Sequence, residues 1–447
     1  MRFLKETCLA YANRFFFGEI KMKIETQAIH SGYSPDPTTK SVATPIYQTS
    51  SYAFDNAQHG ADLFSLQAEG NIYTRIMNPT NAILEERLAE MEGGIAALAV
   101  SSGMAAITYT IQSLTRAGQN IVSVSELYGG TIDYFTNTLT NQGIEIRFAN
   151  GHDLEGLSKL IDENTTLVFC ESIGNPLGNI CDIEKLSQAA HDQGVPLVVD
   201  NTVATPYLLR PIEYGADIVI HSLTKYISGH GTTIGGAIVD AGNFDWAKEP
   251  ERFPLLNEPD GSYHGMVYAE ALGNAAFIGR CRVGPLRNTG AALSPFNAFL
   301  ILQGIQTLSL RMERHCENAI LLARYLKDHK SVSWVNYAGL IESPYYDLAE
   351  KYTNGKPSAI LSFGIKGGRE AGIKFIDSLG LIVRLVNIGD TKSLATHPAS
   401  TTHSQLDEDE YESAGISDDM VRISVGIENI DDIIEDVNQA ILKSQKI

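Results

Sequence analysis

Between Ala97 and Val239 the chain alternates short apolar runs with amphipathic stretches, and few architectures accept that pattern. The runs are Ala97–Val100, Ile121–Val124, Ile144–Ala149, Leu167–Cys170, Leu197–Val199, Ile218–Ile220 and Gly236–Val239. Helical patterns over Met104–Leu114, near Ile132–Leu139, over Leu154–Ile161 and over Ile183–His191 separate them. Strands that read as continuous apolar runs are buried on both faces, so the pattern predicts an α/β fold with a mostly parallel, seven-stranded sheet. In such a sheet, ligands bind outside the C-terminal ends of the strands.

Before this region, Lys23 to about Thr74 is irregular and rich in Pro, Ser, Thr and Gly, an arm expected to pack across a dimer. A helix capped by Thr80 or Asn81 follows, with Leu84, Leu88 and Met91 as its apolar stripe and Gly93-Gly94 as its end. After it, residues 241–290 break the alternation with aromatic, Pro and Gly-rich sequence, read as a long excursion over the site. One helical stretch is expected from about Pro295 to His329. Strands at Ala359–Ile365, Ile382–Val386 and Val421–Val425, with helices at Ala371–Leu379 and Ile430–Leu442, read as a smaller α+β C-terminal domain. The expected divisions are an upstream extension of the reading frame over 1–21 with Met22 as the start, an arm over 22–80, a large domain over 81–290 and a small domain over 291–447.

The bulk numbers exclude several functions. A formal charge of −19 lacks the positive footprint of a nucleic-acid binder. No run of about 18 apolar residues marks a membrane span. Five cysteines (Cys8, Cys170, Cys181, Cys281 and Cys316), without CxxC or zinc-type spacing, read as reduced thiols of a cytoplasmic protein that holds no metal.

Chemistry concentrates at the predicted strand ends. The stretch Ala216-Asp-Ile-Val-Ile-His-Ser-Leu-Thr-Lys-Tyr226 delivers Lys225 from a buried strand, flanked by the hydroxyls of Ser222 and Thr224. Ser101-Ser-Gly103, where a strand gives way to a helix, is either an anion cup or a plain turn. Asp200, ending Leu197-Val-Val-Asp-Asn-Thr202, is either a helix cap or the partner of a buried cation. Tyr128 offers a flat ring past another strand, and Asn175 precedes a proline in Glu171-Ser-Ile-Gly-Asn-Pro176. Together, a lysine, an acid, an aromatic face and an anion cup describe a site for pyridoxal 5′-phosphate. No GxGxxG or Walker loop competes with that reading.

Thr26-Gln-Ala-Ile-His-Ser-Gly32, Tyr73-Thr-Arg-Ile-Met-Asn-Pro-Thr80 and His221-Ser-Leu-Thr-Lys-Tyr226 carry a family resemblance. From Glu25 to the C-terminus the sequence resembles the Cys/Met-metabolism branch of the fold-type I pyridoxal-phosphate enzymes. Ser262-Tyr-His-Gly265, Ser294-Pro-Phe-Asn-Ala-Phe299 and Asn387-Ile-Gly-Asp-Thr-Lys-Ser393, running on to His397-Pro-Ala-Ser-Thr-Thr-His403, narrow it to the O-acetylhomoserine sulfhydrylases. The resemblance implies a transferase in which O-acetylhomoserine and a sulfur donor give homocysteine and acetate, in methionine biosynthesis. It implies Lys225 as the cofactor's covalent anchor and proton carrier, Asp200 on the ring nitrogen and Tyr128 stacked on the ring and near the chemistry. Phosphate would fall to Ser102, Gly103 and Met104 with Ser222 and Thr224, and Thr202 would join the cofactor set. Asn175, Ser393 and Arg422 would hold the substrate carboxylate and a cofactor oxygen. Tyr73 and Arg75 would reach the neighbouring subunit's site, making a dimer obligatory and a tetramer expected. A methionine or cystathionine γ-lyase, an O-succinylhomoserine or cystathionine-forming transferase, and a non-catalytic binding protein of the same fold stay open.

Overall fold

The computed structural model describes residues 22–65, 67–401 and 416–446. The extension expected over residues 1–21, and Thr402 and His403 of the quoted C-terminal stretch, lie outside the described residues.

Seven strands form the larger sheet: β1 (Ala96–Val100), β2 (Asn120–Val124), β3 (Glu145–Ala149), β4 (Thr165–Glu171), β5 (Leu197–Asp200), β6 (Ile218–Ser222) and β7 (Gly236–Asp240). Their spatial order is β1-β7-β6-β5-β4-β2-β3. Only β7 runs antiparallel to its neighbours; the remaining pairs are parallel, as the run pattern predicted. β2, β4 and β7 are buried along their whole length, the physical reason that they read as apolar runs instead of alternating ones.

Helix α1 (Pro79–Glu92) starts earlier than the sequence suggested. Its cap is Asn78, whose side chain accepts from the Thr80 N–H at 2.9 Å, because Pro79 suits the first helical position where no N–H is needed. Gly93 ends the helix at φ 82°, in the left-handed conformation open to glycine. Helix α2 (Gly103–Leu114) is capped by Ser102, whose hydroxyl accepts from Ala105 N at 3.1 Å. The predicted single helix of 295–329 is two, α3 (Pro295–Ile305) and α4 (Leu308–Asp328), parted at Gln306-Thr307.

The smaller sheet has five strands: β8 (Val332–Asn336), β9 (Ile360–Ile365), β10 (Val383–Arg384), β11 (Leu394–Thr396) and β12 (Met420–Ser424), ordered β10-β11-β12-β9-β8. Helices α5 (Gly368–Ser378) and α6 (Ile430–Ser444) cover it. Its core takes in Ala319, Leu322 and Leu326 of α4, whereas Leu308, Met312 and Cys316 of the same helix belong to the core of the larger sheet. The two cores therefore part within α4.

Residues 241–290 are a correction too. Their aromatic residues build core at the β1–β7 side, where Phe277 stacks on Trp246 with centroids 5.8 Å apart and Ile278 N donates to Asp240 Oδ2 at 3.3 Å.

Beneath the strand ends runs a buried polar chain. Ser172 donates to Asn201 Oδ1 at 2.8 Å, Asn201 donates to Glu92 Oε1 at 3.0 Å, and His221 Nε2 meets the same oxygen at 2.6 Å. Glu92 and His221 are both fully buried. Replacing Glu92 with Ala strips Asn201 and His221 of their shared acceptor and should cost roughly 3 kcal/mol. A urea-unfolding midpoint equal to that of the unaltered protein would contradict this.

Candidate active site

Adjacent parallel strands end side by side, so their last residues share one edge. Glu171 of β4 pairs with Asp200 of β5, and Asp200 pairs with Ile220 of β6, two residues before Ser222. A cavity of about 480 Å³ opens at this edge. Ser102, Gly103, Met104, Tyr128, Asn175, Asp200, Thr202, Ser222, Thr224, Lys225 and Arg422, all expected from sequence, line it. Tyr73, Arg75 and Ser393 do not. Tyr73 is 41 % exposed, with the Arg75 guanidinium 5.2 Å from its ring centroid. Ser393 is buried in a turn, where its hydroxyl donates to Glu428 Oε2 and accepts from Gly426 N, each at 2.9 Å. Glu171, Asn387 and Thr396 line the cavity without having been singled out as site residues. The apolar run preceding Glu171 was a usable signal for that residue; nothing in the sequence around Asn387 or Thr396 aims them at a lysine 162 residues away or at a strand end in another sheet. No residue of 241–290 lines it among those described.

The local contacts fix the polar groups. Thr202 bridges two strands: its N–H donates to Asp200 Oδ1 at 2.9 Å and its hydroxyl accepts from Ser222 N at 2.7 Å. Gly103 leaves the first turn of α2 open, since a Cβ there would lie 2.8 Å from the Ser222 Cβ. Gly235 N donates to Thr224 Oγ1 at 3.1 Å. Tyr128, 51 % exposed at the rim, has its backbone N–H 2.6 Å from Glu171 Oε1. Arg422 reaches in from β12: Nη1 donates to Asn175 Oδ1 at 3.2 Å, and Nη2 donates to the carbonyls of Val386 at 2.9 Å and Asn387 at 3.2 Å. Lys225 Nζ donates to the side-chain oxygen of Asn387.

Burial sets the electrostatics. It lowers the Lys225 amine to about 8, and the Arg422 charge adds to the shift. It lowers Arg422 to about 10. Burial raises both acids, but Asp200 is held down by the Thr202 hydroxyl, the Thr202 N–H and the charge of His221. Glu171 has the Tyr128 N–H against both its burial and the Asp200 charge, and goes well above the usual carboxylate range. Both acids are raised, Glu171 the more strongly. Among the described residues no ion pair to a lysine, arginine or histidine is made by Asp200, a carboxylate that calls for a cation.

A lysine with a lowered pKa, an anion-binding helix start and an unpaired acid on one sheet edge agree with the comparisons. Residues 25–442 match the family model of Cys/Met metabolism PLP-dependent enzymes. The chain belongs to that family. It is 52% identical over 418 residues to the homocysteine synthase of Schizosaccharomyces pombe, covering 93% of this chain and 97% of the relative. Identity is also 52% over 422 residues to O-acetyl-L-homoserine sulfhydrylase 1 of Thermus thermophilus, covering 94% and 100%. In structure it is similar to a Campylobacter jejuni protein assigned as an O-acetylhomoserine (thiol)-lyase and crystallised with N′-pyridoxyl-lysine-5′-monophosphate. The TM-score is 0.90 and the identity 42%, over 94% of this chain and all of the other.

As a member of this family the chain is a PLP-dependent enzyme, and its cavity fits the cofactor. The bare start of α2 beside the Ser222 and Thr224 hydroxyls suits a phosphate. Asp200 suits a protonated ring nitrogen, and the buried Arg422 Nε, with no hydrogen-bond partner of its own, leaves donor capacity for an anion. In the cofactor-free protein the Lys225 amine should react with an acylating reagent along a curve whose midpoint lies near pH 8. Arg422→Gln removes a neighbouring positive charge and should move that midpoint upward. A midpoint in the ordinary lysine range for the unaltered protein, or a downward move in the variant, would contradict the assignment.

Proposed function

We propose that the chain converts O-acetyl-L-homoserine and sulfide to L-homocysteine and acetate. The observation that carries this reading is the buried amine of Lys225 at the strand ends, in one cavity with Asp200 and Arg422, in a PLP-dependent family. The printed names of relatives at about half identity over nearly the whole chain support it. The seven-stranded α/β frame with its smaller second sheet is shared with the Campylobacter structure.

Bound pyridoxal 5′-phosphate supplies an electron sink that lets an amino acid give up its Cα proton. Each remaining task falls to a side chain. Lys225 anchors the cofactor, and Asp200 keeps its ring nitrogen protonated. Ser102, Gly103, Met104, Ser222 and Thr224 hold the phosphate, Thr202 braces Asp200, and Tyr128 covers the ring. Arg422, with Asn175 on its Nη1, takes the substrate carboxylate on its remaining donors, the unpartnered Nε among them. With the cofactor bound, Lys225 would carry one proton at a time: it would take the Cα proton and hand it on to the electron sink, then take one from Cβ as acetate leaves from Cγ. Hydrosulfide would add at Cγ, and Lys225 would return its proton to Cβ before carrying the first one back to Cα. Water is limited by the apolar Ile107, Ile173, Val203 and Ile388 in the lining.

Charge favours the acetyl ester. The cations lining this chain's own cavity are Lys225 and Arg422, both already engaged. A neutral acetyl group requires no third, whereas the second carboxylate of a succinyl ester does. Tyr73 and Arg75, away from this chain's own cavity, fit a site shared with a second copy, and exposed Val42 (81 %) on the arm suits that contact; a dimer or a tetramer built on it is part of the proposal. Cys170, Cys181, Cys281 and Cys316 are all free, in keeping with work in the cytoplasm.

The test is product analysis on the holoenzyme. O-acetylhomoserine plus sulfide should yield homocysteine and acetate, O-succinylhomoserine should be used at least about tenfold less well, and Lys225→Ala should abolish turnover. Breakdown of methionine or cystathionine without added sulfide, at a rate matching the acetyl ester, would overturn the reading in favour of a γ-lyase.

A further inference from the structure

The motif Asn387-Ile-Gly-Asp-Thr-Lys-Ser393 carries a side chain that the scheme above does not use. Asn387 lies between the two cations of the site. Its side-chain oxygen accepts from Lys225 Nζ, and its backbone carbonyl, with that of Val386, accepts from Arg422 Nη2 at 3.2 and 2.9 Å. The turn beneath it is locked from three sides. Gly389 N donates to Ser424 Oγ at 3.0 Å, Thr391 N donates to Gly229 O at 2.9 Å, and Ile427 N donates to Thr391 O at 2.9 Å. Gly389 (φ 72°) presses so close to the segment carrying Lys225 that a Cβ would sit 2.6 Å from Tyr226 N. The Asn387 amide is thus held by backbone contacts to β12 and to the Lys225 segment, and its position does not depend on its own side chain being satisfied.

We propose that Asn387 is the positioning residue for the Lys225 amine, receiving it when the substrate displaces it and aiming its lone pair into the cavity. A neutral acceptor suits this duty. An amide oxygen fixes one N–H and so the direction of the amine without adding the full negative charge that would keep it protonated. The charged and titratable groups facing Lys225 across the cavity are Arg422 from β12, Asp200 from β5, Glu171 from β4 and Tyr128 beyond β2. Arg422 opposes protonation of the amine and the amide moderates that effect, so the two together hold a base usable near neutral pH. Because Arg422 is gripped through backbone carbonyls, changing the Asn387 side chain leaves its guanidinium in place.

The inference rests on Lys225 as the proton carrier of the proposed reaction, and two variants test it. Asn387→Ala removes the acceptor and should lower the pH midpoint of Lys225 acylation in the cofactor-free chain, followed by mass spectrometry of the labelled peptide. Asn387→Asp puts a charge in the same shape and should raise that midpoint. In the holoenzyme, Asn387→Ala should lower kcat at least about tenfold, within the range for a displaced general base, while KM for O-acetylhomoserine changes less than about threefold. The acidic limb of the kcat–pH profile should move down in Asn387→Ala and up in Asn387→Asp, opposite signs that a purely structural defect would not produce. Midpoints that are unchanged, or that move in the same direction in both variants, overturn the positioning role. Failure of the unaltered enzyme to form homocysteine would instead overturn the proposed reaction, so the two failures are distinguishable.

Discussion

Everything at the site depends on the registered ending of three parallel strands. Glu171, Asp200 and Ser222 come from sequence positions far apart, yet the pairing of β4 with β5 and of β5 with β6 leaves no freedom over where they stand. These three strands are buried almost throughout and cannot slip without moving their whole apolar set, so the polar ends are held as rigidly as the core. A carboxylate, an amine and a phosphate-sized cup can then be kept in a fixed relation without flexible loops to carry them.

That rigidity makes the burial of charge chemically useful. Lys225 and Asp200 are both desolvated, and each is pushed toward its neutral form: the amine down to about 8, the acid upward. Thr202 and His221 counter the push on Asp200, while Glu171 alongside is raised the more strongly. The buried chain Ser172–Asn201–Glu92–His221 carries this arrangement from beneath. The smaller sheet contributes what the larger one cannot: Arg422 from β12 and the Asn387 turn, brought to the strand ends across the contact between the two sheets.

The sequence revealed the larger sheet because its strands, with both faces covered, leave apolar runs that only a parallel arrangement explains. It concealed β8, mostly half-buried at a sheet edge, and β11, only three residues long. The cap of α1 was misplaced because Asn78 and Pro79 form a cap and first turn ahead of the more conspicuous Thr80 and Asn81. The aromatic residues of 241–290 suggested an excursion over the site, but Trp246, Phe253 and Phe277 are core, and hydrophobicity does not say against which surface a segment packs. At the site, Lys225 and Asp200 stood out because a charged residue ending a buried strand calls for a partner, whereas Arg422 came only with the family resemblance. The partners were not: Ser393 answers to Glu428, 35 residues on, and Lys225 to Asn387, 162 residues on, distances at which local pattern says nothing.

The central claim is that the strand-end geometry delivers one particular amine to the cofactor. Reducing the holoenzyme with borohydride and mapping its peptides by mass spectrometry tests this directly. The account predicts a pyridoxyl phosphate group on Lys225 and on no other lysine. Label on a different lysine, or none on Lys225 in enzyme that has retained its cofactor, would contradict it.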